Sequence, residues 1–275
     1  MGQNTGISIK YKDISRLLKS GKDRKKQGRY VVEGIKMVLE AIAYDSVLKI
    51  FVSEEWWREY VISGRGISGK SSVHIEELFA GCGYEIVGER TLKELTDTVN
   101  PQGVIAVAEF GSVKALDIIN EAAKEEYCRL LILENLQDPG NLGTIIRTAE
   151  AAGFQGIIMN KGTADMYSPK VVRSTMGAIF RVPCAYNDTT GTIVSMCEDA
   201  GITVYGAALE GNDIRQEKFD KKLAFIIGNE SAGIVPETKE LCGKLVKIPM
   251  GGSAESLNAS VAAAVLMYMS NLTFL

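Results

Sequence analysis

Apolar residues follow two different rhythms along the chain. In the N-terminal part, short apolar runs at residues 30–33, 48–52, 84–87 and 103–108 read as strands. Between them lie a helical stretch from Ile35 to Ala43, a helix around Trp56 and Trp57, a Gly/Ser-rich loop at 63–72 and a short helix near 76–80. Such alternation predicts a small α/β unit. From Arg129 onward the apolar runs are more continuous. Residues 130–133, 156–159, 202–208, 223–227 and 244–248 read as strands, and 142–152, a segment from Ser168, 189–200 and a stretch from Leu257 as helices. Val/Ile/Leu runs separated by helices predict a mainly parallel sheet covered on both faces. The expected fold class is therefore α/β in two parts: a smaller domain over 1–110, a helical linker over 111–128 (helix 113–126) and a larger domain over 129–275.

The last strand-loop-helix junction organises the larger domain. An apolar strand ends at Ile248-Pro249-Met250, a Gly251-Gly252 loop follows, and Ser256 is placed to cap a helix starting near Leu257. That helix carries Ala259, Ser260, Ala262, Ala263 and Ala264 among larger apolar residues, which lets it pack close to other backbone. Two more such junctions occur, after residues 130–133 and 223–227. Open α/β sheets bind ligands at strand ends of this type, where backbone N–H groups are unpaired and helix N-termini favour negative charge.

Composition narrows the chemistry. With 275 residues, 46% hydrophobic and 24% charged, the chain is long enough for two cores of modest size. Its net charge of −3 carries no global nucleic-acid signature, so any RNA contact needs a local basic patch. No apolar run reaches membrane-spanning length, and residues 1–6 carry neither a signal-peptide nor an anchoring pattern, which predicts a cytosolic protein. The five cysteines are scattered without a C-x-x-C pair, and the single histidine, His74, lies in a polar neighbourhood. No metal site is expected, and proton chemistry falls to carboxylates, Arg, Lys, Tyr or water. Neither a P-loop nor a placed G-x-G-x-x-G is present.

Residues 8–29 read as a short amphipathic helix, with Ile14, Leu17 and Leu18 on one edge, ending in a basic turn. A charged run of this kind serves equally as a solvated face. Lys22, Arg24, Lys25, Lys26 and Arg29 are the candidates for sequence-blind phosphate contacts. Trp56 and Trp57 suit either stacking on bases or packing.

The three junctions read DPGNLGTIIRTAEAAGF, FIIGNESAGI and IPMGGSAESLNASVAAAVLMY, in that order. Together they resemble the three motifs of the SpoU (TrmH) branch of the SPOUT RNA methyltransferases. The N-terminal part resembles that family's small substrate-binding domain, similar to ribosomal protein L30e. The resemblance implies a parallel sheet with a deep trefoil knot and a homodimer whose active site uses both subunits. It implies transfer of a methyl group from S-adenosylmethionine to a ribose 2′-hydroxyl in RNA, with 23S rRNA favoured because of the extra N-terminal domain. The alternatives are a tRNA 2′-O-methyltransferase, a base methyltransferase of a related branch, and a non-catalytic RNA-binding dimeric scaffold.

Carried residue by residue, the resemblance implies cofactor contacts at Leu209, Gly228, Ile248, Met250 and Leu257, and a catalytic group of Asn141, Arg147, Glu230, Ser256 and Asn258. Arg147 suits a grip on the RNA phosphate or, as the family is thought to use it, a base toward the 2′-hydroxyl; its plainer partner is a carboxylate such as Glu230. Glu230 is placed to fix Arg147, to accept loop N–H groups, or to lie near the sulfonium. Arg173, in the segment SPKVVRSTMG, is an RNA-contact candidate or a surface cation. Ala259 stands where many relatives carry Val.

Overall fold

The computed structural model describes residues 9–187 and 189–272. The N-terminal residues 1–6 and Ser8 of the basic stretch lie outside the described residues. The chain divides into two compact units. One comprises the described residues up to Gly111 together with Tyr167–Phe180; the other comprises Ser112–Met166 and the described residues from Arg181 onward.

The first unit runs α1 (Tyr11–Lys19), α2 (Gly21–Gln27), β1 (Arg29–Glu33), α3 (Ile35–Ala43), β2 (Val47–Ser53), α4 (Glu54–Trp57), α5 (Ser72–Cys82), β3 (Tyr84–Val87), α6 (Glu89–Glu94) and β4 (Val104–Glu109). Its strands form one sheet in the order β1-β4-β2-β3, in which β4 is antiparallel to β1 and β2, and β2 is parallel to β3. Ile14 and Leu17 of α1 are buried against Val31, Phe51, Ile105 and Val107. The apolar edge visible in the sequence is thus the edge that packs.

The basic turn expected after α1 is instead the helix α2. Ser20 caps it by accepting the Asp23 N–H at 3.1 Å, and Gly28, at φ 63°, ends it. This fold corrects the expectation for Arg24, which is only 5% exposed. Its guanidinium donates to the carbonyls of Leu17 at 2.5 Å and Leu18 at 3.4 Å, in the last turn of α1, where carbonyls lack helical partners. Lys22, Lys25 and Lys26 remain on the exposed face of α2, and Arg29 is half-buried. Trp56 and Trp57 are buried and pack on Tyr60, Phe79 and Tyr84, so their rings are spent on the core.

Helix α9 (Pro169–Ser174) lies in the segment that clusters with this first unit, although it follows the second strand of the other sheet in sequence. Tyr167 explains the attachment: its ring stacks on Phe110 at 3.9 Å between centroids and its hydroxyl accepts the Gly111 N–H at 3.0 Å.

The second unit contains α7 (Ala115–Lys124), β5 (Cys128–Leu133), α8 (Pro139–Ala151) and β6 (Gly156–Asn160). After α10 (Ala178–Arg181) come β7 (Cys184–Asn187), α11 (Thr190–Asp199), β8 (Thr203–Asp213), β9 (Lys222–Ile227), α12 (Pro236–Leu241), β10 (Lys244–Lys247) and α13 (Ala259–Leu272). The six strands are all parallel, in the order β10-β8-β9-β5-β6-β7. Helix α7, expected as a connector, buries Ala115, Ile118, Ile119 and Ala122 in this unit's core with Leu130, Ile132 and Ile226. No helix among the described residues is long and apolar enough to cross a membrane.

From β5 the chain steps one way along the sheet to β6 and β7, then returns to lay β8, β9 and β10 on the other side. The order reverses between β5 and β9. In a parallel sheet all C-terminal strand ends share one edge, and the reversal opens a crevice there.

Arg24→Met should lower the stability of the first unit by about 1.5–3 kcal/mol, the worth of hydrogen bonds from a charged donor. Chemical denaturation with hydrogen exchange in α1 and α2 checks this; unchanged exchange there would return Arg24 to the pool of surface cations.

Candidate active site

The loops after β5 and β9 leave the sheet at the reversal, the segment after the outermost strand β10 reaches the same place, and each brings one polar side chain there. Helix α8 begins with Asp138 as cap, accepting the Asn141 N–H at 2.8 Å, and with Pro139 in its first turn. This fixes Asn141, 9% exposed, in the first turn. Its side-chain Nδ2 donates to Glu230 Oε1 at 3.1 Å, and its Oδ1 accepts from Asn258 Nδ2 at 2.9 Å. Asn258 is the cap of α13: its Oδ1 accepts the Ser260 N–H at 2.9 Å. The helix starts at Ala259, so the cap expected of Ser256 belongs to Asn258. The intervening residues leave Leu257 half-buried in the cavity wall described below rather than on a helix.

The direction of this chain is set by its ends. Asn258 must turn its oxygen to the helix N-terminus, so its amide nitrogen faces Asn141, which in turn offers its own nitrogen to Glu230. Glu230 also accepts the backbone N–H groups of Gln137 at 3.0 Å and Asp138 at 2.8 Å. Partial burial by itself would raise the Glu230 carboxyl, but these two N–H groups and Asn141 outweigh it and hold the pKa below the ordinary value. Of the roles open to Glu230 in the sequence, the structure shows the acceptance of loop N–H groups.

Arg147 is not its partner. It is exposed, its side chain makes no hydrogen bond or ion pair among the described residues, and it lies six residues after Asn141 on α8. At 3.6 residues per turn that spacing puts the two side chains about 120° apart around the helix. Arg173, in the first unit, donates to Asp97 at 3.1 Å with Glu33 at 3.9 Å, so two carboxylates already face its charge.

Leu209, Gly228, Ile248, Met250 and Leu257 all line one cavity of about 330 Å³, together with Glu230 and Ser256. It is lined by the middle of β8, at Ala207 to Glu210, by the ends of β9 and β10, and by Ala259, Ala262 and Leu266 of α13. Gly228 is required by its own loop: a Cβ there would stand 2.1 Å from the Gly233 carbonyl carbon. That loop closes through paired bonds between Asn229 and Gly233 at 3.0 and 2.9 Å, and Asn229 Oδ1 accepts from Ser231 and Ala232.

Several supporting residues were not singled out from the sequence. Asn135 takes a left-handed conformation, φ 54°, and its carbonyl accepts from Asn229 Nδ2 at 2.9 Å. Asn160 Oδ1 accepts the Asn135 N–H at 2.9 Å, and Gln137 Nε2 donates to the Gly162 carbonyl at 2.5 Å. The available signal was position: Glu134, Asn135 and Asn160 are polar residues at the ends of strands with wholly buried runs.

Comparison with known proteins gives concordant matches. The model of the SpoU rRNA Methylase family matches residues 129–268, and that of the MRM3-like substrate binding domain matches residues 9–106. A 23S rRNA (guanosine(2553)-2′-O)-methyltransferase of Bacillus subtilis is 32% identical over 94% of this chain and 94% of its own length. The AdoMet-bound rRNA methyltransferase from Sinorhizobium meliloti superposes with a TM-score of 0.81 at 28% identity, covering 100% of this chain and 98% of that one. AviRb from Streptomyces viridochromogenes, solved with AdoMet, gives 0.77 at 27% identity over 96% and 97%.

The depressed Glu230 pKa has a defined pH signature. Its bonds stabilise the folded state above the ordinary carboxyl value, near pH 4.3, and that contribution is lost as pH falls through the lower folded value. Wild-type protein should therefore exceed Glu230→Gln in stability by about 1.5–3 kcal/mol at pH 7, with the gap closing as the carboxylate protonates. Denaturation midpoints of both across pH 3–7 check it; a pH-independent gap would remove the carboxylate from the account.

Proposed function

The chain belongs to the SpoU rRNA methylase family, an RNA methyltransferase family, and within it we propose that this protein transfers a methyl group from S-adenosylmethionine to a ribose 2′-hydroxyl of 23S rRNA, acting as a homodimer. The observation that carries the reading is the chain Asn258–Asn141–Glu230, drawn from three separate segments and bordering the cavity that gathers the five expected cofactor contacts.

The residues present fit such a cofactor. Leu209, Ile248, Met250 and Leu257 offer apolar walls for a purine, and the cavity volume lies within the roughly 300–1,000 Å³ of ligand pockets. When bound, S-adenosylmethionine supplies a methyl carbon made electrophilic by its sulfonium. That methyl would pass to the ribose 2′-oxygen, leaving S-adenosylhomocysteine, with the hydroxyl proton released to water. The protein's part is alignment. Anionic Glu230 fixes Asn141, and Asn258, itself held by the helix it caps, fixes the opposite end of the same chain. Ser256 is exposed on the rim, open to substrate.

Arg147 enters through the dimer. Helix α13 packs on α8 and leaves Val261 and Tyr268 47% and 50% exposed, apolar surface on the helix next to that of Arg147. A second copy covering this face would bring Arg147 to the partner's site, where a guanidinium grips the phosphate beside the target ribose bidentately. Phosphate binding suits it better than proton abstraction, since a guanidinium keeps its proton near neutral pH. The N-terminal unit supplies sequence-blind affinity through Lys22, Lys25 and Lys26.

Transfer of labelled methyl to rRNA and tRNA, followed by digestion to nucleosides, tests the reaction. Label in a 2′-O-methylnucleoside of rRNA is expected; label in a base, in tRNA alone, or in neither RNA would overturn it. Arg147→Ala should cut transfer at least about 100-fold, while the stability of the isolated subunit stays within about 0.5 kcal/mol because the side chain is exposed. Near-normal turnover would remove its role. Reversing both Lys25 and Lys26 to Glu should weaken rRNA binding and flatten its log–log salt slope by about one for each phosphate no longer neutralised; an unchanged slope would place the RNA-binding surface on another face.

A further inference from the structure

Glu134 follows β5 directly, is 2% exposed, and does not line the cavity. Its carboxylate accepts the Val235 N–H at 2.9 Å through Oε2 and the Thr238 hydroxyl at 2.6 Å through Oε1. Both donors belong to the segment that follows β9. Glu230, which follows β9, sends its carboxylate the opposite way, to the Gln137 and Asp138 N–H groups that follow β5. Strands β5 and β9 are neighbours in parallel register from Cys128 with Lys222 to Leu133 with Ile227, so the two loops leave the sheet side by side. Each loop anchors the other with one carboxylate.

We propose that Glu134 is a positioning residue for methyl transfer, and that the crossed carboxylates of Glu134 and Glu230 lock the loops after β5 and β9 into one rigid body. The inference rests on the reaction assigned above, which it deepens. Three physical points carry it. Among the described residues Glu134 has no ion pair; a buried carboxylate of that kind is costly unless its oxygens are hydrogen-bonded, and both oxygens of Glu134 are used on the loop it faces. Neither carboxylate is redundant, because Glu134 holds the far end of its partner loop at Val235 and Thr238 while Glu230 starts that same loop beside the cavity. A third tie, Asn229 Nδ2 to the Asn135 carbonyl at 2.9 Å, joins the residue after Glu134 to the residue before Glu230 and adds one more bond that any sliding of the loops has to break. Loosening Glu134 should therefore be felt at Glu230 and at the cavity, although Glu134 touches neither.

Glu134→Gln keeps the volume and one acceptor but turns an NH₂ group toward a donor, and Thr238→Val removes one donor from the other side. In the full-length protein both should lower kcat about tenfold with the KM for rRNA within twofold. Both should also speed hydrogen exchange at the Gln137 and Asp138 amides, which neither residue contacts. Glu134→Asp, shorter but still a carboxylate, should restore part of kcat. Exchange changes confined to Val235 and its neighbours, or a rise in KM with kcat intact, would overturn the latch. Wild-type protein that methylates no rRNA would overturn the reaction instead, and exchange at Gln137 and Asp138 would still decide the latch.

Discussion

The second unit depends on a constraint of parallel sheets: where strand order reverses, backbone donors at the strand ends face a crevice with no partner strand. Here the reversal falls between β5 and β9, and the Glu230 carboxylate fills the gap by accepting the N–H groups of Gln137 and Asp138. Because those donors are the cap of α8 and the residue before it, the same carboxylate lies near a helix N-terminus, which favours its charge. The consequence is a carboxylate that stays ionised and a fixed acceptor for Asn141. From that acceptor the chain of amides runs in one direction to the cap of α13.

This arrangement separates two kinds of work. The cavity draws its apolar surface from the middle of β8, the ends of β9 and β10, the segment after β10 and α13, which suits recognition of a ligand's shape. The polar residues beside it bond chiefly to one another and to loop backbone, so they hold geometry. Among the described residues, the cations that line the cavity are Lys239 and Lys247, and neither joins the chain Asn258–Asn141–Glu230. Arg147 is exposed on α8, and the homodimer proposed above is what would bring it to a site of this kind.

Basic residues of the first unit show how composition and role part company. Lys22, Arg24, Lys25 and Lys26 sit on one short helix, yet Arg24 turns inward to satisfy carbonyls of α1 while the lysines stay in solvent. Arg173 is likewise drawn to Glu33 and Asp97. A guanidinium offers several donors in a rigid fork, which suits it to buried carbonyl and carboxylate partners better than an ammonium. A count of positive charges cannot distinguish the two fates.

The sequence alone determined the features that local chemistry controls. The buried runs of β5 and β9, the helix α3 and the three strand-loop-helix junctions were legible, because apolar periodicity and Gly- and Asn-rich loops act within a few residues; Asn141, Glu230 and Asn258 were singled out only through the family resemblance. Tertiary structure decided which groups meet. That Glu230 answers the loop after β5 and not Arg147, and that Glu134 faces Thr238, follow from strand order; that Tyr167 carries α9 into the first unit follows from its stacking on Phe110, and Asn258 is held at the start of α13 by Asn141 as well as by the helix. Residues some 90 to 120 positions apart become neighbours only when β9 inserts beside β5 and α13 packs on α8. No local pattern encodes that distance, since the energy selecting those partners comes from burying the sheet and from pairing donors at its edge.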